Sequence, residues 1–224
     1  MAHNPYYDGP GRAPSVAFSR IEVMHLAASV LVLTVAFALV LNDGTTPLER
    51  FDVPPVLWIA AFLAVSSGFV LHELAHKVVA QRYQHWAEFR GQFQGLLISL
   101  AIAAGLGILF AAPGAVHIFG RVTPKENGII SIVGPGVNFV IAAVTMPLAL
   151  LMDITQPLAY VLGVVAVVNA VLCLFNLLPF GPLDGKKVWR WNKAAYLGLV
   201  AAAIGLLVLM VLSGVWAGIT TPAG

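Results

Sequence analysis

The chain has 224 residues, of which 59% are hydrophobic and only 10% charged, against about 25% charged in an average soluble protein. Twelve basic and ten acidic side chains cannot cover a soluble surface of this length. An ordinary soluble domain, a disordered chain and a nucleic-acid binder are thereby excluded, and the class is a polytopic membrane protein.

Residues 1–20, with Pro5, Pro10 and Pro14, read as a flexible tail with no secretory signal pattern. A first apolar segment runs from about Val23 to Leu41. A polar stretch with Asp43, Glu49 and Asp52 separates it from a second, Pro54 to Gln81, which ends in LHELAHKVVAQR. The third, Gly95 to Ala112, is interrupted by Gly105 and Gly107. The fourth is Ile129 to Met152 and the fifth Leu158 to Leu178. The sixth spans Ala194 to about Ile219 after PFGPLDGKKVWRWNK, and 220–224 form a short tail. The expected fold is all-α and membrane-embedded, with about five to six transmembrane helices and a re-entrant or β-hairpin insert around the third segment. One domain covers 21–219, with its core at 53–190.

Charge sets the expected topology. If the third segment dips in and returns while the other five cross, 11 of the 12 bases fall on one side and only Arg50 on the other. If the third segment crosses, the split becomes 5 against 7. The positive-inside rule selects the first arrangement, with the N-terminus cytoplasmic. Irregular backbone at membrane depth needs protein or a water-filled cavity around it, so a polar cavity is expected near the cytoplasmic side.

His72-Glu73-Leu74-Ala75-His76 is H-E-x-x-H. On a helix, positions i and i+4 share a face, so the two imidazoles can hold one Zn²⁺, and Glu73 can take a proton from a water beside it. Ionisable groups behind a long apolar run cost several kcal/mol unless they have partners or a task. A catalytic zinc needs a third ligand, and Asp184 is the candidate. Pro179, Gly181, Pro182 and Gly185 surround it in a kinked piece that can turn a carboxylate sideways. Under the favoured topology the second and fifth segments run in the same direction. His72, about 14 Å from the end of its segment, and Asp184 then approach the same membrane face.

These motifs carry a resemblance. H-E-x-x-H on a membrane helix, GPGVN at Gly134 to Asn138 and NLLPFGPLDG at Asn176 to Gly185 resemble the site-2 protease family of intramembrane zinc metalloproteases, over roughly Val53 to Arg190. The resemblance implies one Zn²⁺ per chain on His72, His76 and Asp184, with Glu73 as general base. It implies a transmembrane helix of another protein as substrate, and a three-helix core made of the second, fourth and fifth segments. The third segment is longer and more apolar than the family's short β-rich insert.

Asn138 and Asn176 are candidate substrate-binding residues, because buried amides in a membrane must find partners. Helix–helix hydrogen bonding is the alternative for both. Gly134 and Gly136 are expected to let the fourth segment pack closely on the second. His25, His85 and His117 are read as interfacial or loop histidines. Lys186, Lys187, Arg190 and Lys193 are read as topology determinants near anionic lipid. The strand-like stretch Ala115 to Val122 is a candidate for pairing with an extended substrate. The expected partners are the bilayer and a membrane-protein substrate, with no nucleic acid, and the expected location is a prokaryotic plasma membrane. A zinc transporter is the rival reading, but it would have no need of Glu73 and would want a His-rich loop that the chain lacks. An H-E-x-x-H protease with a later Glu as third ligand is excluded, because no Glu follows Glu126.

Overall fold

A computed structural model describes residues 16–42, 44, 49, 51–108, 114–153 and 156–220. The expectations for 1–15, for Asp43 and Arg50, for the last residues of the third segment (109–113) and for 221–224 lie outside the described residues. Five helices are long and apolar enough to cross a membrane, so the chain is a multi-pass integral membrane protein.

Helix α1 (Arg20–Leu41) starts where the Ser19 hydroxyl accepts the Glu22 N–H at 3.0 Å. Helix α2 (Pro55–Arg82) is continuous but contains one π turn, Ser66–Val70. The extra residue rotates the following face by about 100° relative to the preceding one, immediately before His72. The Ser67 hydroxyl donates back to the Leu63 carbonyl at 2.7 Å and accepts from Asn169 Nδ2 at 3.0 Å, so a hydrogen bond ties the bulge to its neighbour helix inside the bundle.

Strand β1 (Trp86–Gly91), helix α3 (Phe93–Leu106) and strand β2 (Gly114–Phe119) form the insert. The strands pair antiparallel from Trp86↔Phe119 to Gly91↔Gly114. Since Gly91 and Gly114 are direct partners, the third segment leaves and returns at one place. Its 14-residue helix is about 21 Å long, short of a 30 Å hydrocarbon core. The insert therefore combines the two expected forms, an apolar helix flanked by a hairpin's strands. The substrate-pairing stretch expected at Ala115 to Val122 is the strand Gly114–Phe119, and its partner β1 carried no sequence expectation.

Helix α4 (Pro124–Leu150) begins with a capping box, Thr123 with Glu126, and Pro124 at its first position. Pro135 and Pro147 lie inside it, which neighbouring helices make tolerable in a membrane. Helix α5 (Pro157–Asn176) follows. A kinked piece then leads to the short helix α6 (Asp184–Trp191), to α7 (Lys193–Leu212) and to α8 (Val215–Thr220). The sixth segment is thus two helices, separated at Gly214, whose φ of +81° favours glycine.

Direction follows from packing. Leu57 and Val65 of α2 cluster with Tyr160 and Val164 of α5, and Gly68 meets Asn169 and Leu172 further along, so α2 and α5 run parallel. Helix α4 runs against both. Its start meets the end of α2 through Ile130 and Ala80, and its later part meets α5 through Met146 and Val167. The second, fourth and fifth segments thus pack on one another, and α1 joins α2 and α5 through Leu33, Phe37 and Ala38. The two parallel helices end together, which requires the third segment to return rather than cross.

Candidate metal centre

His72 and His76 lie one turn apart on α2 and are 4% and 7% exposed. Their Nε2 atoms are 3.0 Å apart. Asp184 Oδ2, at the first position of α6, lies 3.0 Å from His76 Nε2 and 3.4 Å from His72 Nε2. Two side chains one turn apart and a third more than a hundred residues away thus aim one ligand atom each at a common point.

The donor set fits a cation. His76 Nδ1 is 2.6 Å from the Ile130 carbonyl. A carbonyl only accepts, so Nδ1 carries the hydrogen and Nε2 is left with its lone pair. That lone pair, the His72 ring and a carboxylate oxygen face one another in a buried space, which is unfavourable until a positive charge stands between them. Donors around a tetrahedral Zn²⁺ stand about 3.3–3.6 Å apart, close to the observed separations. Two histidines and one carboxylate leave a position open, the arrangement of a catalytic rather than a structural zinc site.

Glycines make the approach possible. A Cβ on Gly134 would lie 2.4 Å from His76 Nε2 and 2.7 Å from His72 Cε1, so only glycine lets α4 back onto both imidazoles. A Cβ on Gly185 would lie 2.0 Å from the Leu177 carbonyl oxygen. That glycine lets α6 fold against the end of α5 and carry Asp184 inward. Gly136 has nothing within 4 Å of its Cβ position. The close-packing expectation therefore holds for Gly134 and fails for Gly136, which faces an outer groove lined by α4 with Leu71 of α2 and Leu199 of α7.

Lys187 donates to Asp184 Oδ1 at 3.2 Å, leaving Oδ2 to the histidines. Lys187 was read from sequence only as a topology determinant. Its i, i+3 spacing from Asp184 was the available signal, once a helix was known to begin at Asp184.

Glu73 faces the same cavity of about 190 Å³ as the three ligands. Its Oε2 accepts the Val116 N–H of β2 at 3.0 Å. Gly114, Val116 and Ile118 also line this cavity. In an antiparallel ladder alternate pairs turn their N–H groups outward, and Phe89↔Val116 is such a pair, since Phe89 N–H donates to Glu22 at 3.0 Å rather than across the ladder. The cavity wall is therefore an open sheet edge, which sequence could not show without the register.

Asn176 also lines the cavity, and its Nδ2 donates to the Leu172 carbonyl at 3.0 Å. Asn138 is fully buried, lies off the cavity lining, and has no partner for either amide atom. The helix–helix hydrogen bond offered as its alternative is not formed. His25, His85 and His117 stand apart from the centre, as expected. His25 accepts from Gly91 N–H at 3.1 Å, and His85 lies 3.4 Å from Glu126.

A membrane-embedded His-Glu-x-x-His helix joined by a distant Asp defines a metallohydrolase-type centre. The comparisons agree. The chain is 36% identical over 197 residues to the Methanocaldococcus jannaschii protein MJ0611, named as a zinc metalloprotease, covering 86% of this chain and 96% of that one. It is 32% identical over 170 residues to zinc metalloprotease MJ0392 of the same organism, covering 71% of this chain and 44% of the relative. It is 31% identical over 155 residues to Rip3 of Mycobacterium tuberculosis, also named as a zinc metalloprotease, covering 65% of this chain and 35% of the relative. The chain thus spans nearly all of the first relative and less than half of the two longer ones. No family model and no solved structure matches. The chain belongs to the site-2 protease family of membrane zinc metalloproteases.

Proposed function

We propose that this protein is an intramembrane zinc protease that hydrolyses peptide bonds within or near transmembrane helices of other membrane proteins. The observation that carries the reading is one cavity shared by His72, His76, Asp184, Glu73 and the open edge of β2. His72 Nε2, His76 Nε2 and Asp184 Oδ2 would hold one Zn²⁺ per chain. When bound, the ion polarises the scissile carbonyl and makes a neighbouring water acidic enough to react near neutral pH.

Glu73 takes the proton of the attacking water on its carboxylate. It returns that proton to the leaving nitrogen as the C–N bond breaks. Asn176 contributes the second hydrogen of Nδ2 to the substrate carbonyl oxygen as negative charge develops there. Asn138 has less support for the substrate contact proposed from sequence, because it lies off the cavity wall. A helical substrate hides its amides in i to i−4 bonds. The outward N–H and C=O groups of Gly114, Val116 and Ile118 offer replacements to an unwound segment, with alternate side chains pointing to either face. The single hydrogen bond from Val116 to Glu73 occupies that edge in the resting state.

The orientation that puts 11 of 12 bases together supports a cytoplasmic N-terminus and a cavity that opens on the cytoplasmic side, and the membrane we propose is a prokaryotic plasma membrane. The test is purified protein with a transmembrane-helix substrate, run as wild type, Glu73→Gln and chelator-treated wild type. Cleavage by wild type alone, with zinc retained in Glu73→Gln, is the expected result. Equal cleavage by Glu73→Gln would remove Glu73 as the base. Tight zinc binding without cleavage of any helical substrate would favour metal transport.

A further inference from the structure

We propose that Glu22 and His25 of α1 are positioning residues that set where the β2 edge stands over Glu73, and so which peptide bond is cut. The proposal rests on the protease reading above but on different residues. Of the N–H groups that β1 turns away from its partner, those of Phe89 and Gly91 find acceptors on α1. Phe89 donates to Glu22 Oε1 at 3.0 Å and Gly91 donates to His25 Nδ1 at 3.1 Å. Residues i and i+3 of a helix face therefore meet residues i and i+2 of a strand edge, and two tethers fix both position and tilt.

The second oxygen of Glu22 binds the ammonium of Lys77, and both side chains are wholly buried. Lys77 follows His76 on α2, and its ammonium also lies 4.3 Å from the centre of the Phe18 ring. The helix that carries the metal ligands and Glu73 therefore braces the carboxylate that holds β1. Across the sheet, Phe89 pairs with Val116, whose N–H reaches Glu73. One cross-strand pair is thus strung between two carboxylates, Glu22 on the outer edge and Glu73 on the cavity edge. A buried ion pair stabilises a fold little more than apolar residues of the same volume, and often less. Stability is therefore a weak reason for this one, whereas fixing a strand is a specific reason. A substrate paired to β2 moves with the sheet. A shift of one residue, about 3.3 Å, brings a different bond to Glu73.

The test uses the full chain and a transmembrane substrate that wild type cuts at one bond, with products read by mass spectrometry. Three variants are compared. Glu22→Leu/Lys77→Met removes the pair without stranding a charge and removes the Phe89 acceptor. Glu22→Gln/Lys77→Met restores an acceptor. His25→Phe removes the second tether and leaves the ion pair alone. We expect the first and third to retain one metal per chain and to lose on the order of 10-fold or more in kcat, with KM little changed because the β2 edge is intact. Both should also cut at neighbouring bonds. The Gln-containing variant should recover the single cut. A folded Glu22→Leu/Lys77→Met with the wild-type kcat and a single wild-type cut overturns the proposal. Should that variant fail to fold, the same result from His25→Phe overturns it. A wild type that cuts no helical substrate overturns the protease reading itself, and this proposal with it.

Discussion

Helices α5 and α7 have 20 residues each, and 18-residue stretches of them have almost the same mean hydropathy, 2.5 and 2.6, yet 61% of the first stretch is buried and only 17% of the second. Either would be read as a membrane span, and neither hydropathy value says which stands at the centre. Small residues alone do not explain it, since α7 carries seven Ala and Gly residues and α5 four; the difference lies in polarity and in whether the small residues fall where another helix stands. Helix α5 buries Ala166 and Ala170 in a cluster with Ala142 and Met146 of α4, Gly163 beside Val215 and Ile219 of α8, and Asn169, which hydrogen-bonds to the π turn of α2. Helix α7 buries only Tyr196, Ala203 and Met210, a single stripe at seven-residue spacing. Apolar surface facing lipid gains nothing from burial against another helix, so close packing and polar pairs decide which helices form the core. The chemistry sits where that packing is tightest.

The largest effects are expected where core packing and metal ligation coincide. Asp184→Ala, measured by metal content and by turnover, should release the metal and lower kcat/KM by at least ~10³-fold. Metal retained at one per chain in that variant would mean that the third ligand lies elsewhere. Gly134→Ala comes next. Its Cβ would press on both imidazoles, and metal affinity should fall roughly 10–100-fold, the range seen when groups that orient a ligand are altered. Gly136→Ala, two residues along and facing open space, is the control and should bind metal as wild type does. Equal affinities in the two variants would show that α4 does not confine the histidines.

Much of this was legible before the fold was known. His72, His76 and Asp184 could be grouped because charge counting puts the ends of the second and fifth segments on one face, and the geometry of a three-ligand metal site, argued from different residues, asks for the same topology. The insert was legible only as something that returns. WAEFRG at Trp86 to Gly91 mixes apolar and charged residues without strict alternation, because Glu88 is buried and bonds to Arg90, so the period-2 signal of a strand is lost. The roles of the Val116 N–H and the Ile130 carbonyl belong to backbone groups that every residue has, and only register and packing assign them. Lys77 and Glu22 are separated by 55 positions, and nothing local in either helix announces the pair.

A size increase inside the core and the same increase on α7 should sharpen the opening contrast. Ala166 on α5 is wholly buried in the cluster that α5 shares with Ala142 and Met146 of α4, Met210 of α7 and Val215 of α8. Ala166→Leu inserts three carbons where helices already touch, and should destabilise the protein by about 1–3 kcal/mol, read as a lower unfolding midpoint in detergent and accompanied by loss of activity. Ala202 on α7 is exposed and lies next to the buried stripe rather than on it. Ala202→Leu adds the same volume to a face that meets lipid, where leucine is as well solvated as the tails around it, so the expected change is within about 0.5 kcal/mol with turnover unaltered. A substantial loss from Ala202→Leu would mean that the outer face of α7 is covered by protein in the working enzyme. Burial measured on a single chain would then understate how much of this helix belongs to the core.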